Sequence, residues 1–205
     1  MKSCWIFGGA PVGDGFKVTP PADAFIIAAD SGYSLVKRMG FTPNLLLGDF
    51  DSLTEEKPSD CEIMTVAAEK DDTDTMLAVK TALSRGYSDI TIVGVIGGRL
   101  DHTAAGFQTL AYILEHGGRG RIIGENDEAE IVGIGEYVYP KRESSYFSLF
   151  AYGGDAVITS EGTKYDLTKH CLTDSFPLGV SNEILSENCR LVVFSGRILV
   201  IFSKK

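Results

Sequence analysis

Of the chain's 205 residues, 44% are hydrophobic and 23% charged, a balance that can bury a sizeable core in one large domain or two small ones. The formal net charge of −9 repels nucleic acid and anionic membrane surfaces, so an anionic substrate would need metal ions or a locally basic pocket. No apolar run reaches membrane-spanning length, and the scattered cysteines (Cys4, Cys61, Cys171, Cys189) contain no CxxC pair, which argues against a zinc site or disulfide framework and for a reducing, cytoplasmic location.

Taken in order, the chain first alternates strands with helices. Its opening apolar run is too short for a signal peptide, and Cys4–Phe7 reads as a strand. The strand enters Gly8-Gly9-Ala10-Pro11. That turn can bring backbone N–H groups near phosphate or be an ordinary loop, since it matches neither GxGxxG nor Walker A. Phe25–Ala29 is a second strand, ending in Asp30-Ser31-Gly32; a helix from Ser31 to Met39 follows, with Leu35, Val36 and Met39 on one face and Gly40 as its stop. Leu45-Leu46-Leu47-Gly48 has the character of a strand covered on both faces. It leads into Asp49-Phe50-Asp51-Ser52, whose two carboxylates would point the same way in an extended segment. Such a pair suits Mg2+, a hard cation; the same residues also suit a plain turn.

Ile63–Val66 is the next strand. It leads through Lys70-Asp71-Asp72-Thr73-Asp74 into a helix from about Thr73 to Arg85, where Met76, Val79, Lys80 and Leu83 follow helical spacing. A helix N-terminus favours one or two acids, but Asp71, Asp72 and Asp74 together repel unless something neutralises them. Ile90–Val95 is a strand ending in Gly97-Gly98-Arg99-Leu100-Asp101-His102, and a helix from Thr103 to about His116 follows with Asp101 as its N-cap. The Arg99 fork matches phosphate oxygens; a lone His102 reads as a structural hydrogen-bonding residue. Arg121–Ile123 and Glu130–Ile134 are two further strands.

After that the character changes. Short β-like runs separated by Gly, Asn, Asp and Ser turns continue to the C-terminus without helical periodicity. The sequence thus predicts an α/β domain with a mainly parallel, Rossmann-like sheet over residues 1–135 and a small all-β sandwich or barrel over 136–205. In the first domain Asp30, Asp49/Asp51, Asp71/Asp74 and Asp101 each follow the end of a strand. If the sheet is parallel, these carboxylates share one edge, where ligands bind in open α/β folds. Mg2+ held there, with Lys70 and Arg99 adding positive charge, would neutralise and align a polyphosphate for group transfer.

These motifs resemble a known family. Gly48-Asp49-Phe50-Asp51-Ser52, Lys70-Asp71-Asp72-Thr73-Asp74 and Gly97-Gly98-Arg99-Leu100-Asp101-His102 occur in the order and spacing of thiamine pyrophosphokinases. Phe7-Gly8-Gly9 and Ala29-Asp30-Ser31-Gly32 fit the first two strand ends of that family. Gly162-Thr163-Lys164-Tyr165-Asp166-Leu167 and Val180-Ser181-Asn182 are similar to its thiamine-binding β domain. The resemblance covers nearly the whole chain. It implies Mg2+-dependent transfer of a pyrophosphoryl group from ATP to the hydroxyethyl oxygen of thiamine, giving thiamine diphosphate and AMP. It also implies a homodimer with thiamine held at the subunit interface. The carboxylates implied for catalysis are Asp49, Asp51, Asp71, Asp74 and Asp101, the first four also as metal ligands. Lys70, Arg99, Asp30 and His102 are implied around the ATP phosphates, and Tyr165, Ser181 and Asn182 at thiamine.

The chain departs from the family pattern in two places. Thr103-Ala104-Ala105-Gly106-Phe107 follows His102 where the family commonly has an Asn a few residues on, and Tyr165 stands where the family often has Trp. Two rivals fit part of the pattern. A phosphatase using Asp49 and Asp51, one as covalent nucleophile, would need neither the β domain nor the Asp71–Asp74 cluster. A non-catalytic thiamine- or nucleotide-binding sensor that kept the fold is opposed by the retention of every acidic motif.

Overall fold

The apolar runs of the N-terminal region become six parallel strands of one sheet. They are β1 (Ser3–Phe7), β2 (Phe25–Ala29), β3 (Leu45–Gly48), β4 (Glu62–Thr65), β5 (Asp89–Val93) and β6 (Arg119–Ile123), ordered β4-β3-β2-β1-β5-β6. Helix α1 (Gly32–Arg38) joins β2 to β3, α2 (Asp74–Ser84) joins β4 to β5, and α3 (Leu100–Glu115) joins β5 to β6. The computed structural model describes residues 2–50, 58–67 and 71–205. The chain divides into two compact units, one ending at Glu125 and the other beginning at Asn126.

Leu45, Leu46 and Leu47 are all fully buried, as a strand covered on both faces requires. Each such side chain contributes roughly 1.5–3 kcal/mol of transfer free energy before entropy is charged against it. The strand order ascends from β1 through β2, β3 and β4 on one side and jumps to β5 on the other. The C-terminal ends of β1 and β5 therefore flank a topological switch point, where open α/β sheets leave a crevice.

Two helices depart from the sequence expectation in instructive ways. The buried stripe of α2 is Ala78, Val79, Thr81 and Ala82, so Lys80 is displaced from the core face and lies beside Asp72. Helix α3 starts at Leu100, with Arg99 as N-cap residue, and Asp101 lies in its first turn. Asp101 is thus not the cap that the sequence suggested; the helix begins one turn earlier because neither Leu100 nor His102 resists helical backbone.

The second unit contains β7 (Asp127–Val132), β8 (Gly135–Pro140), β9 (Ser145–Ala151), β10 (Ala156–Glu161), β11 (Leu167–Leu172), β12 (Gly179–Asn182), β13 (Asn188–Ser195) and β14 (Ile198–Lys204). Within it, β12-β9-β14-β7 form one antiparallel layer and β11-β10-β13-β8 another. One apolar cluster joins the two layers, including Tyr139, Phe147, Leu149, Ile158, Leu191 and Val200. At its centre the Phe147 and Phe202 rings lie 5.0 Å apart, with Tyr139 5.3 Å from Phe147, distances at which aromatic pairs attract beyond simple burial. This is a β-sandwich.

The unit boundary falls at Glu125 rather than after residue 135. Strand β7 pairs antiparallel with β14, from Val132 opposite Ile198 to Asp127 opposite Ser203. Its alternation marks it as a strand in either unit, and only the distant partner decides which. Tyr165 lies in the loop before β11.

Candidate active site

A cavity of about 370 Å³ opens at the switch point. Its floor is backbone from Gly8 to Pro11 after β1 and from Gly94 after β5; Asp30, Asp74, Arg99 and His102 stand on its walls. Four of the acidic or basic residues expected from the sequence are therefore brought together from three strand ends, those of β2, β4 and β5. Asp49, Asp71 and Asp101 are described but do not line this cavity. Asp51 and Lys70 lie outside the described residues.

Close backbone approach makes the floor. The Gly8 N–H donates to the Val93 carbonyl at 2.8 Å and the Ala10 N–H to the Gly94 carbonyl at 2.7 Å, so the β1–β5 ladder continues past both strand ends. A Cβ on Gly8 would stand 2.7 Å from the Gly94 oxygen, and Gly94 itself has φ +71. Both glycines are required by geometry rather than chosen as turn filler.

The acid-bearing turn after β3 differs from an extended segment. Phe50 has φ 63 and is buried with Trp5, Phe7 and Leu46. The left-handed backbone at Phe50 is not that of an extended strand; the same-side reading of Asp49 and Asp51 involves Asp51, which lies outside the described residues. Asp30, also left-handed at φ 48, donates its N–H to the Leu47 carbonyl at 2.7 Å, which ties the end of β2 to that of β3. Non-glycine residues in this region cost of order 1–3 kcal/mol each, and they cluster at functional sites.

The Asp71–Asp74 run resolves into three environments. Thr73 caps α2, its hydroxyl accepting the Met76 N–H at 3.1 Å, and Asp74 opens the helix beside the cavity. Asp72 does not line the cavity; both its oxygens accept from the Lys80 ammonium at 2.7 Å. That bond holds Lys80 above the ordinary lysine range. Asp72 is thus neutralised by a lysine two turns along the same helix. Its distance of eight residues, with the cap between, hides it from helix-spacing rules.

Arg99 and Asp101 are paired, the Arg99 Nε donating to Asp101 Oδ1 at 3.1 Å and a second guanidinium N–H to Oδ2. The hydrogen bond from Arg99 holds the Asp101 carboxyl below the usual aspartate range. Asp101 Oδ1 also accepts the His102 N–H at 2.9 Å. An arginine expected to meet phosphate is accordingly oriented by the carboxylate two residues on. Ala105 and Gly106, where the chain departs from the family pattern, line the same cavity.

In the C-terminal unit, Tyr165 is 63% exposed on a loop with a dense internal frame. Asp166 accepts both the N–H and the hydroxyl of Thr163, at 2.7 and 2.9 Å. Asn182 is buried; its amide donates to Thr163 Oγ1 and the Tyr165 carbonyl and accepts the N–H groups of Tyr165 and Glu183. All four valences of that amide are in use, so Asn182 frames the Tyr165 loop. Ser181 is exposed and left-handed at φ 57, its N–H donating to Ser148 Oγ at 3.0 Å. Glu183 receives Lys164 at 3.3 Å and Lys205 on its other oxygen.

Among the described residues no three His, Cys, Asp or Glu side chains gather as a ready-made metal cage. The charged donors offered to the cavity are carboxylates, Asp30 and Asp74. That set fits Mg2+, which is ordinarily held by one or two carboxylates together with substrate phosphates and water.

Residues 20–119 match the family model described as thiamin pyrophosphokinase, catalytic domain, and residues 137–199 that described as thiamin pyrophosphokinase, vitamin B1 binding domain. A thiamine pyrophosphokinase of Bacillus subtilis (strain 168) is 31% identical over 184 residues, 86% of each chain. The crystal structure of thiamine pyrophosphokinase from Bacillus subtilis superposes with a TM-score of 0.89 at 28% identity over 100% of both chains. That of a thiamin pyrophosphokinase family protein from Enterococcus faecalis gives 0.83, also at 28% identity over 100% of both.

Proposed function

The chain belongs to the thiamine pyrophosphokinase family, and on that premise we propose that it transfers the pyrophosphoryl group of ATP to the hydroxyethyl oxygen of thiamine. The oxygen bonds to the β-phosphorus, and the bond from that phosphorus to the α,β-bridging oxygen breaks. The electron pair leaves with AMP, and the hydroxyl proton is lost. The observation that carries this reading is the cavity at the β1/β5 switch point, inside the region matched by the catalytic-domain model.

In this reading the triphosphate lies over the Gly8–Pro11 and Gly94 backbone, which can approach it without side-chain interference. Arg99, pre-aligned by Asp101, meets phosphate oxygens with its planar fork, and Asp30 and His102 complete the wall. Asp30 and Asp74 at the cavity would hold Mg2+, with Asp49, Asp51 and Asp71 as the further carboxylates that the family resemblance implies; when bound, the ion would supply charge neutralisation for the transferring group. Tyr165 stacks on the thiamine pyrimidine with Ser181 beside it, and Asn182 acts by fixing the loop.

The same reading makes the enzyme a cytoplasmic homodimer, with thiamine between the catalytic unit of one subunit and the β unit of its partner. Tyr165, Phe176, Leu178 and Val180 are all about half exposed or more and supply apolar surface on the β unit for such an arrangement. All four cysteines are free thiols, which supports a reducing compartment. No helix among the described residues is long and apolar enough to cross a membrane.

The test is direct. The protein, thiamine, ATP and Mg2+ are expected to give AMP and thiamine diphosphate in equal amounts. Formation of ADP or free phosphate in their place would remove the pyrophosphokinase reading.

A further inference from the structure

We propose that Lys80 is a positioning residue for nucleotide binding, acting by clamping Asp72 away from the cavity and so fixing the turn that presents Asp74. The inference rests on the functional reading above. An exposed ion pair is ordinarily a minor contributor, but this one is built differently. The ammonium contacts both Asp72 oxygens at 2.7 Å, the side chains are only 39% and 31% exposed, and the Tyr112 ring of α3 lies 5.9 Å from the same nitrogen. Lys80 therefore joins three things: the acidic turn, the second turn of α2 and the neighbouring helix.

Two anchors define the turn. The Thr73 cap sets its end, and the Lys80 clamp sets the residue before. With both in place, Thr73, Asp74 and Thr75 line the cavity and Asp72 does not. The clamp also removes one negative charge from a run of three carboxylates in four residues. Without it, Asp72 would join Asp71 and Asp74 in repelling an incoming polyphosphate.

The experiment compares Lys80→Met, Lys80→Arg, Asp72→Asn and the Lys80→Met/Asp72→Asn pair. Calorimetry with α,β-methylene-ATP, which lacks the scissile bridging oxygen, reads nucleotide affinity independently of turnover. Lys80→Met is expected to weaken that affinity about tenfold, the scale of a lost charge-assisted hydrogen bond, and to raise the KM for ATP in parallel. The KM for thiamine should stay within about twofold, a split that general loosening of the fold would not produce. Lys80→Arg should keep most of the affinity. The double variant should bind better than Lys80→Met, because Asp72→Asn removes the unpaired charge. Nucleotide affinity within about twofold of wild type in both Lys80→Met and Asp72→Asn would overturn the proposal. A wild-type protein that binds the analogue but forms no thiamine diphosphate would instead overturn the functional reading and leave the clamp to be judged by calorimetry.

Discussion

Asn182 and Tyr165 are joined by two reciprocal hydrogen bonds: the Asn182 amide donates to the Tyr165 carbonyl at 3.0 Å, and its oxygen accepts the Tyr165 N–H at 3.1 Å. The asparagine side chain thereby imitates a strand neighbour for a residue that lies outside any strand. Asn182→Ala would remove the partners of part-buried backbone groups at Tyr165 and Glu183, at about 1 kcal/mol, and release the loop. The expected result is a thiamine KM raised about tenfold, with the KM for ATP little changed. Tyr165→Ala should act in the same direction, and Tyr165→Trp should lower the thiamine KM by offering a larger ring. Steady-state kinetics on the three variants checks this, and a Tyr165→Ala variant with wild-type thiamine KM would remove the ring from the substrate site.

Asp74 stands at the cavity and at the N-terminus of α2. Asp74→Asn keeps the size of the side chain and is expected to lower kcat by at least about a hundredfold, while circular dichroism reports an intact fold. Asp51→Asn should do the same. Chelation with EDTA should abolish turnover of the wild-type enzyme, and added Mg2+ should restore it. Turnover that survives chelation would contradict the proposed metal requirement.

Gly94→Ala tests the crevice floor. Its φ of +71 and the adjoining Gly8 carbonyl leave no room for a Cβ, so the variant should lose about 1–3 kcal/mol and melt several degrees lower. Gly40→Ala, with φ +79 but open space around it, carries only the backbone strain and should lose less. Thermal denaturation of the pair separates the two costs.

Burial pushes the Cys4 and Cys189 thiols up to about 12. A group whose folded value lies above its unfolded one, about 8.5 for cysteine, stabilises the fold fully below the unfolded value. That contribution is lost as pH rises from there towards the folded value. The melting temperature should therefore fall above about pH 9, less steeply in Cys4→Ala. With a thiol reagent at pH 8, the exposed Cys171 should react first, and Cys4 and Cys189 only after denaturant is added.

Much of this was legible in the residues because local rules govern it. The triple leucine of β3, the glycine stop after α1 and the change from helical to alternating pattern each have one physical reading, and each is found. Parallel strands with polar ends led to one shared edge for Asp30, Asp49/Asp51, Asp71/Asp74 and Asp101; of these Asp30 and Asp74 line the cavity, and Asp49, Asp71 and Asp101 do not. What was hidden depended on distant partners or unfavourable backbone. Nothing in Phe50 announces φ 63, since a bulky residue resists that region. Lys80 sits at a spacing that also suits a core position, and the framing role of Asn182 depends on Tyr165, a partner distant in the chain. The 125/126 boundary required knowing that β7 meets β14.

Strand β14 lies between β7 and β9 and completes both ladders, yet it is made after both of them. On a ribosome the N-terminal unit has β1 to β6 in hand when residue 125 emerges. The sandwich must wait with its middle open, and two layers of apolar side chains uncovered, until Ile198–Lys204 arrives. Vectorial synthesis thus orders the two units in time, and a ribosome stalled before β14 would leave a folded N-terminal unit attached to an unclosed one that invites chaperones or proteolysis.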